Sequence, residues 1–128
     1  MKTIKDYIKE LEHFDADDVY DYVLELGSET PKADIVKNES TFVPGCVSQV
    51  YVIGEEGALG WNFSLDSDSY MVRGIGSIIV ECLSGMTTDE LSAVTWADFE
   101  QLSRFFSQQR KQGMQAIINK CKQISRGE

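Results

Sequence analysis

The sequence predicts an α+β fold: a small antiparallel sheet of about three strands with helices packed on one of its faces. Three observations carry that expectation. Apolar residues recur at helical spacing near both ends of the chain, as in Ile4, Tyr7, Ile8 and Leu11, and again in Met114, Ile117, Ile118, Cys121 and Ile124. Between them lies one stretch of strict alternation, in which Leu59, Trp61, Phe63 and Leu65 point one way and Gly60, Asn62, Ser64 and Asp66 the other. Finally, the 128 residues contain no internal repeat, low-complexity run or linker, so residues 1–128 are expected to form one domain around one core.

In chain order, the first amphipathic helix is followed by a second, capped by Asp15 or Asp17. Val19, Tyr22, Val23 and Leu26 lie on one face of it, and Gly27 is expected to end it. Residues 28 to 41 are polar, contain Pro31 and show no period, which reads as a loop. Gln49 to Ile53 is a valine- and tyrosine-rich strand, and Gly54-Glu55-Glu56-Gly57 reads as the hairpin connection to the alternating strand. Asp66-Ser67-Asp68-Ser69 supplies Asp or Ser to cap a long helix with Met71, Ile75, Ile78, Ile79 and Cys82 on one stripe. Gly74 and Gly76 within that helix imply a close approach to a neighbouring backbone, and Gly85 ends it. Thr87-Thr88-Asp89-Glu90 has the form of a capping box for a short helix. Trp96, Phe99, Leu102, Phe105 and Phe106 form an aromatic group on another, and Ser107-Gln108-Gln109-Arg110 leads into the last.

Composition narrows the function. Twelve basic against 21 acidic residues give a formal net charge of −9, which disfavours binding to nucleic acid, where cations must displace counterions from phosphate. A protein partner with a basic patch fits better. No stretch approaches the roughly 18 apolar residues that a membrane span needs, and the N-terminal MKTIKDYIKELEHF resembles neither an export signal nor an anchor. Three cysteines cannot all pair within one chain, so free thiols in a reducing cytoplasm are expected.

Of the three, Cys46 stands alone at a chain reversal, in FVPGCVSQVYV after Pro44 and Gly45. Cys82 and Cys121 fall on apolar helix stripes, where cysteine acts as a small hydrophobe. The chain has one histidine, His13, far from Cys46 in sequence, and lacks a Ser-His-Asp set, a Walker loop and GxGxxG. A thiol that attacks another sulfur needs less machinery than one that attacks an amide, because thiolate is already a good nucleophile and sulfur a good leaving group. Amides around the glycine turn could help hold that thiolate. Elimination therefore points to sulfur relay. Two other readings stay open: a scaffold that ligates zinc or an iron–sulfur cluster through the cysteines with Asp66 or Asp68, and an acidic adaptor that acts through its surface alone.

FVPGCVSQVYV resembles the active-site segment of the SufE-like sulfur acceptors, V-x-G-C-x-S followed by a valine-rich strand. YDYVLELGSETPK, DSDSYMVRGIGSIIVECLSGMT and FFSQQRKQGMQAI resemble three further segments of that family in the same order, from about Asp18 to Lys122. The resemblance implies a single SufE-like domain over residues 1–128, similar in fold to the IscU-type scaffolds. It also implies an acceptor and activator for a pyridoxal-phosphate-dependent cysteine desulfurase of the SufS or CsdA type. Cys46 would take the persulfide sulfur and relay it to an iron–sulfur assembly scaffold, with the pyridoxal phosphate belonging to the partner and no metal or cofactor of the chain's own. Arg110, in the Ser-x-x-Arg-x-x-Gly segment, would dock the partner or steady the thiolate. Asp66, Asp68 and Arg73 would approach Cys46 from the strand end and helix start, and Ser48 and Gln49 would shape the turn. Pro44 beside the motif and a short N-terminal part depart from the family pattern.

Overall fold

Six helices and one β-hairpin are found in the computed structural model, which describes residues 2–128. Helix α1 (Ile4–Leu11) starts at a reciprocal capping box between Thr3 and Asp6, and its apolar stripe buries Tyr7 and Leu11. Helix α2 (Ala16–Glu29) is capped by the Asp15 side chain, which accepts from the Asp18 N–H. Strands β1 (Val50–Gly57) and β2 (Gly60–Ser67) pair antiparallel from Val50↔Ser67 to Gly57↔Gly60. Helix α3 (Tyr70–Leu83) follows, capped by Ser69, whose hydroxyl accepts from the Val72 N–H. Helices α4 (Thr88–Ala93) and α5 (Trp96–Ser103) are short, and α6 (Gln108–Ser125) closes the chain from its cap at Ser107.

The core forms where α3 packs on β2 and α6 packs on β1, while α2 covers the far side of α3. Ile78, Ile79, Leu83, Phe99, Met114 and Ile117 are essentially removed from water; side chains of this size each contribute about 1.5–3 kcal/mol on full burial. Cys121 is fully buried among them. No helix among the described residues is long and apolar enough to cross a membrane.

The α+β class and the Thr87–Glu90 capping box are as the sequence predicts. Several expectations are corrected. The sheet has two strands, not about three, because the segment before the cysteine meets β1 through a single bridge, Phe42↔Tyr51, and Pro44 then turns it away. Gly54-Glu55-Glu56-Gly57 is the end of β1, not the turn; the connection is Ala58-Leu59, which leaves Leu59 at the tip and 90% exposed. Alternation marked the strand but ran one residue into that turn. Helix α2 does not stop at Gly27. A Cβ there would overlap the Tyr70 carbonyl oxygen, and one at Gly74 would overlap the Val23 carbonyl oxygen, so the two glycines let α2 and α3 touch backbone to backbone. Gly76, by contrast, makes room for the Leu65 side chain. Phe105 and Phe106 lie past the end of α5, half-buried in the link to α6.

Candidate functional site

The cysteine sits on a loop hung from two buried valines. The Val43 N–H donates to the Val50 carbonyl at 2.8 Å, and both side chains are fully buried, so residues 44–49 form a closed excursion. Pro44 and Gly45 then fold the chain back: Gly45 has φ of 90°, the left-handed value that a proline–glycine turn of type II places on its glycine. On the descending side the Gln49 N–H donates to Asp68 Oδ1 at 3.2 Å, and the Asp68 N–H donates to the Gln49 carbonyl at 3.4 Å. These bonds fix the loop's end against the start of α3.

The loop lies along α6. A Cβ on Gly45 would rest 3.6 Å from the Ala116 methyl, and Cys46 Sγ faces the Gly113 carbonyl at 3.7 Å. Lys120 Nζ, one turn farther on, donates to the Ser40 carbonyl at 2.8 Å. Gly113, Ala116 and Lys120 thus form one stripe on which the loop is seated, with the sulfur over Gly113. Beside the sulfur is a cavity of about 20 Å³ floored by Val72, Ile75, Met114 and Ile117 and rimmed by Ser48 and Arg110; that is room for about one water molecule.

This seat favours the neutral thiol. Cys46 is half-buried, and burial raises its pKa above the ordinary thiol value. The sulfur's hydrogen-bond partner is a carbonyl, which accepts from S–H but offers nothing to S⁻. The amides expected to hold a thiolate therefore do not do so in this arrangement. Val47 beside it is 80% exposed, so the loop's apex meets solvent while the sulfur points inward.

The expected site residues divide into two groups. Ser48 and Arg110 line the cavity with Cys46, and Gln49 is tied to Asp68 at the loop's end. The Arg110 guanidinium has no ion-pair partner among the described residues. Asp66 and Arg73 lie outside the cavity lining. Strand alternation put Asp66 on the wet face, but it is only 2% exposed because the polar segment 30–41 folds over that end of β2. Its carboxylate lies 3.6 Å from Lys37 Nζ and 3.9 Å from Arg73 Nε, and Arg73 also donates to the Thr30 carbonyl at 2.7 Å. Asp66 therefore holds the polar segment at two points, directly at Lys37 and through Arg73 at Thr30. Capping of α3 falls to Ser69, not to either aspartate.

Sequence reasoning missed Gly113, although it is the glycine of the quoted Ser-x-x-Arg-x-x-Gly segment and the only one in α6. It also missed Lys37 and Lys120, whose partners are backbone or folded-over groups with no local signal. Cys82 is half-buried and Cys121 fully so, and burial pushes both thiols up to about 12. No three metal-ligating side chains stand together among the described residues, so the convergent ligand set that a cluster scaffold needs is not assembled here.

Residues 5–125 match the family described as SufE, Fe-S metabolism associated domain. The chain belongs to the SufE family. It is 29% identical over 119 residues to an uncharacterized SufE-like protein of Rhizobium meliloti, covering 87% of this chain and 85% of that one. To an uncharacterized SufE-like protein of Rhizobium etli it is 30% identical over 119 residues, covering 85% and 79%. Its fold is similar to the solution structure of a hypothetical protein from Thermus thermophilus, with a TM-score of 0.76 over 97% of this chain and 93% of that one at 16% identity. As a SufE-family chain it is associated with iron–sulfur metabolism.

Proposed function

We propose that this SufE-family chain accepts sulfur on Cys46 from the persulfide of a cysteine desulfurase of the SufS or CsdA type and relays it to iron–sulfur assembly. The observation that carries the reading is the placement of one cysteine on a closed loop, next to its exposed apex Val47, with the other two packed into helices. The step needs no oxidant or reductant. Cys46 loses its thiol proton, and its sulfur attacks the outer sulfur of the partner's persulfide. The partner's S–S bond breaks as the new one forms, and the departing cysteine sulfur takes up a proton. The net exchange turns a partner persulfide and a Cys46 thiol into a partner thiol and a Cys46 persulfide. Pyridoxal phosphate belongs to the partner in this reading.

A thiol seated on Gly113 and kept neutral by burial is unsuited to attack until it is freed and ionised. Contact with the partner is the natural occasion for both, since the apex residue Val47 is already exposed. The test is desulfurase turnover on cysteine with and without this protein. The wild type is expected to raise turnover and Cys46→Ser to leave it at the level of the desulfurase alone. Equal stimulation by both would overturn the proposal in favour of the surface-adaptor reading.

A further inference from the structure

A second cleft, of about 260 Å³, opens next to the cysteine cavity and shares Arg110 with it. Its walls come from Ala16, Val19 and Tyr20 of α2, Met71 of α3, and Phe106 in the link to α6. Tyr, Phe, Met and Arg are enriched at protein interfaces, Tyr and Arg among the residues that dominate their energy, and here they converge at one place beside the thiol. Tyr20 is 56% exposed at the rim, although helix α2 has a buried face that could have taken it.

The rim is acidic. Asp17 neighbours Tyr20 at helical spacing, and Asp21 and Glu25 follow at steps of four along the same edge of α2, all exposed. Like charges at this spacing repel, and α2 contains no basic residue to relieve them. The helix dipole favours the carboxylates of the first turn but opposes Glu25, in the second half of the helix. The helix therefore carries an arrangement that its own stability does not favour. A partner bringing lysine or arginine to this edge would relieve the repulsion.

Resting on the proposed function, we infer that this cleft is where the sulfur-donating desulfurase docks, through a segment with a bulky apolar side chain flanked by Lys or Arg. The apolar side chain enters between Tyr20, Met71 and Phe106, and the cations meet Asp17 and Asp21. Because Arg110 forms part of both cleft and cysteine cavity, a segment seated here delivers the donor sulfur to the mouth of the Cys46 site. Docking and transfer are thus separate functions of adjacent surfaces.

The test uses the full chain, a purified SufS-type desulfurase with cysteine, and inorganic polysulfide as a partner-free sulfur donor. Loading of Cys46 is read by intact mass at increasing desulfurase concentration. Tyr20→Ser and the pair Asp17→Lys, Asp21→Lys are solvent-exposed changes expected to preserve the fold, which circular dichroism checks. Each is expected to raise the desulfurase concentration needed for half-loading by roughly tenfold. Loading by polysulfide should stay at the wild-type rate. Added salt should weaken loading of the wild type more than that of the charge-reversed pair. Folded variants with the wild-type dependence on desulfurase would overturn the docking site and leave the proposed function standing. So would variants that lose polysulfide loading to the same extent, since the cleft would then act on the thiol itself. A wild type that polysulfide loads but the desulfurase does not would overturn both.

Discussion

A single sulfur and a single carbonyl define the resting site. Burial raises the Cys46 pKa and the Gly113 carbonyl accepts its S–H, so at neutral pH the thiol of the free protein is expected to be protonated. Alkylation by iodoacetamide should accordingly be slower at Cys46 in the folded protein than in the urea-unfolded chain, and should climb with pH beyond the ordinary thiol range. Equal rates at pH 7 would contradict the seated thiol. Gly113 gives a second handle. A methyl there would stand 3.8 Å from Sγ, an ordinary contact, so Gly113→Ala should be tolerated and gain up to about 1 kcal/mol of helix propensity, visible as a raised Tm. Gly113→Leu should instead displace the sulfur and speed its alkylation. The other thiols respond differently. Cys121 is pushed up to about 12, so its burial in neutral form stabilises the fold below its unfolded pKa. That contribution is lost as pH rises from the ordinary thiol value toward 12. Comparing wild type with Cys121→Ala in denaturant titrations at pH 7 and pH 11 should show the variant less stable at pH 7 and the difference shrinking at pH 11.

Elements place these residues, and the most demanding junction is between α2 and α3. Gly27 and Gly74 allow each helix to rest on the other's carbonyl oxygens, Val23 and Tyr70. Gly27→Ala or Gly74→Ala would force the helices apart, an overpacking expected to cost about 1–3 kcal/mol or more in urea unfolding, in contrast to the gain at Gly113. The same substitution in three helices thus has opposite expected signs, decided by what the added methyl meets. This is also where the sequence was least legible. A glycine near the end of a periodic stretch reads as a stop, and only the facing helix reveals Gly27 as a contact. Helix starts were legible because capping residues act within three positions, as at Asp15, Ser69, Thr87 and Ser107. The strand count was not, because a third strand requires the segment before Pro44 to pair at length, and backbone register is set by the fold rather than by side-chain type. Asp66 belongs to the same class: its burial depends on Lys37 and Arg73 arriving from elsewhere.

Over the whole molecule, the fold serves to hold a short loop along one helix. The sheet end, α3 and α6 meet at the loop, and its attachments are few: one backbone bond between buried valines, the Gln49–Asp68 pair, and the α6 stripe. Such a loop can be seated firmly yet release its apex without unfolding the core. The candidate nucleophile was readable from the sequence because a lone cysteine after Pro-Gly has a local signature; the state of its sulfur was not, since a helix 67 residues away supplies the carbonyl. The net charge of −9 is unevenly distributed as well. Helix α2 is acidic throughout, whereas α6 contains Arg110, Lys111, Lys120 and Lys122 and no acid, which gives a partner an electrostatic direction from which to approach. The most direct measurement of the central claim is peptide-level mass spectrometry after brief incubation with a cysteine desulfurase and cysteine, with free thiols and persulfides trapped by alkylation. One added sulfur on the peptide containing Cys46, and none on those containing Cys82 or Cys121, is the expected result. Sulfur spread over all three peptides, or absent from Cys46, would contradict it.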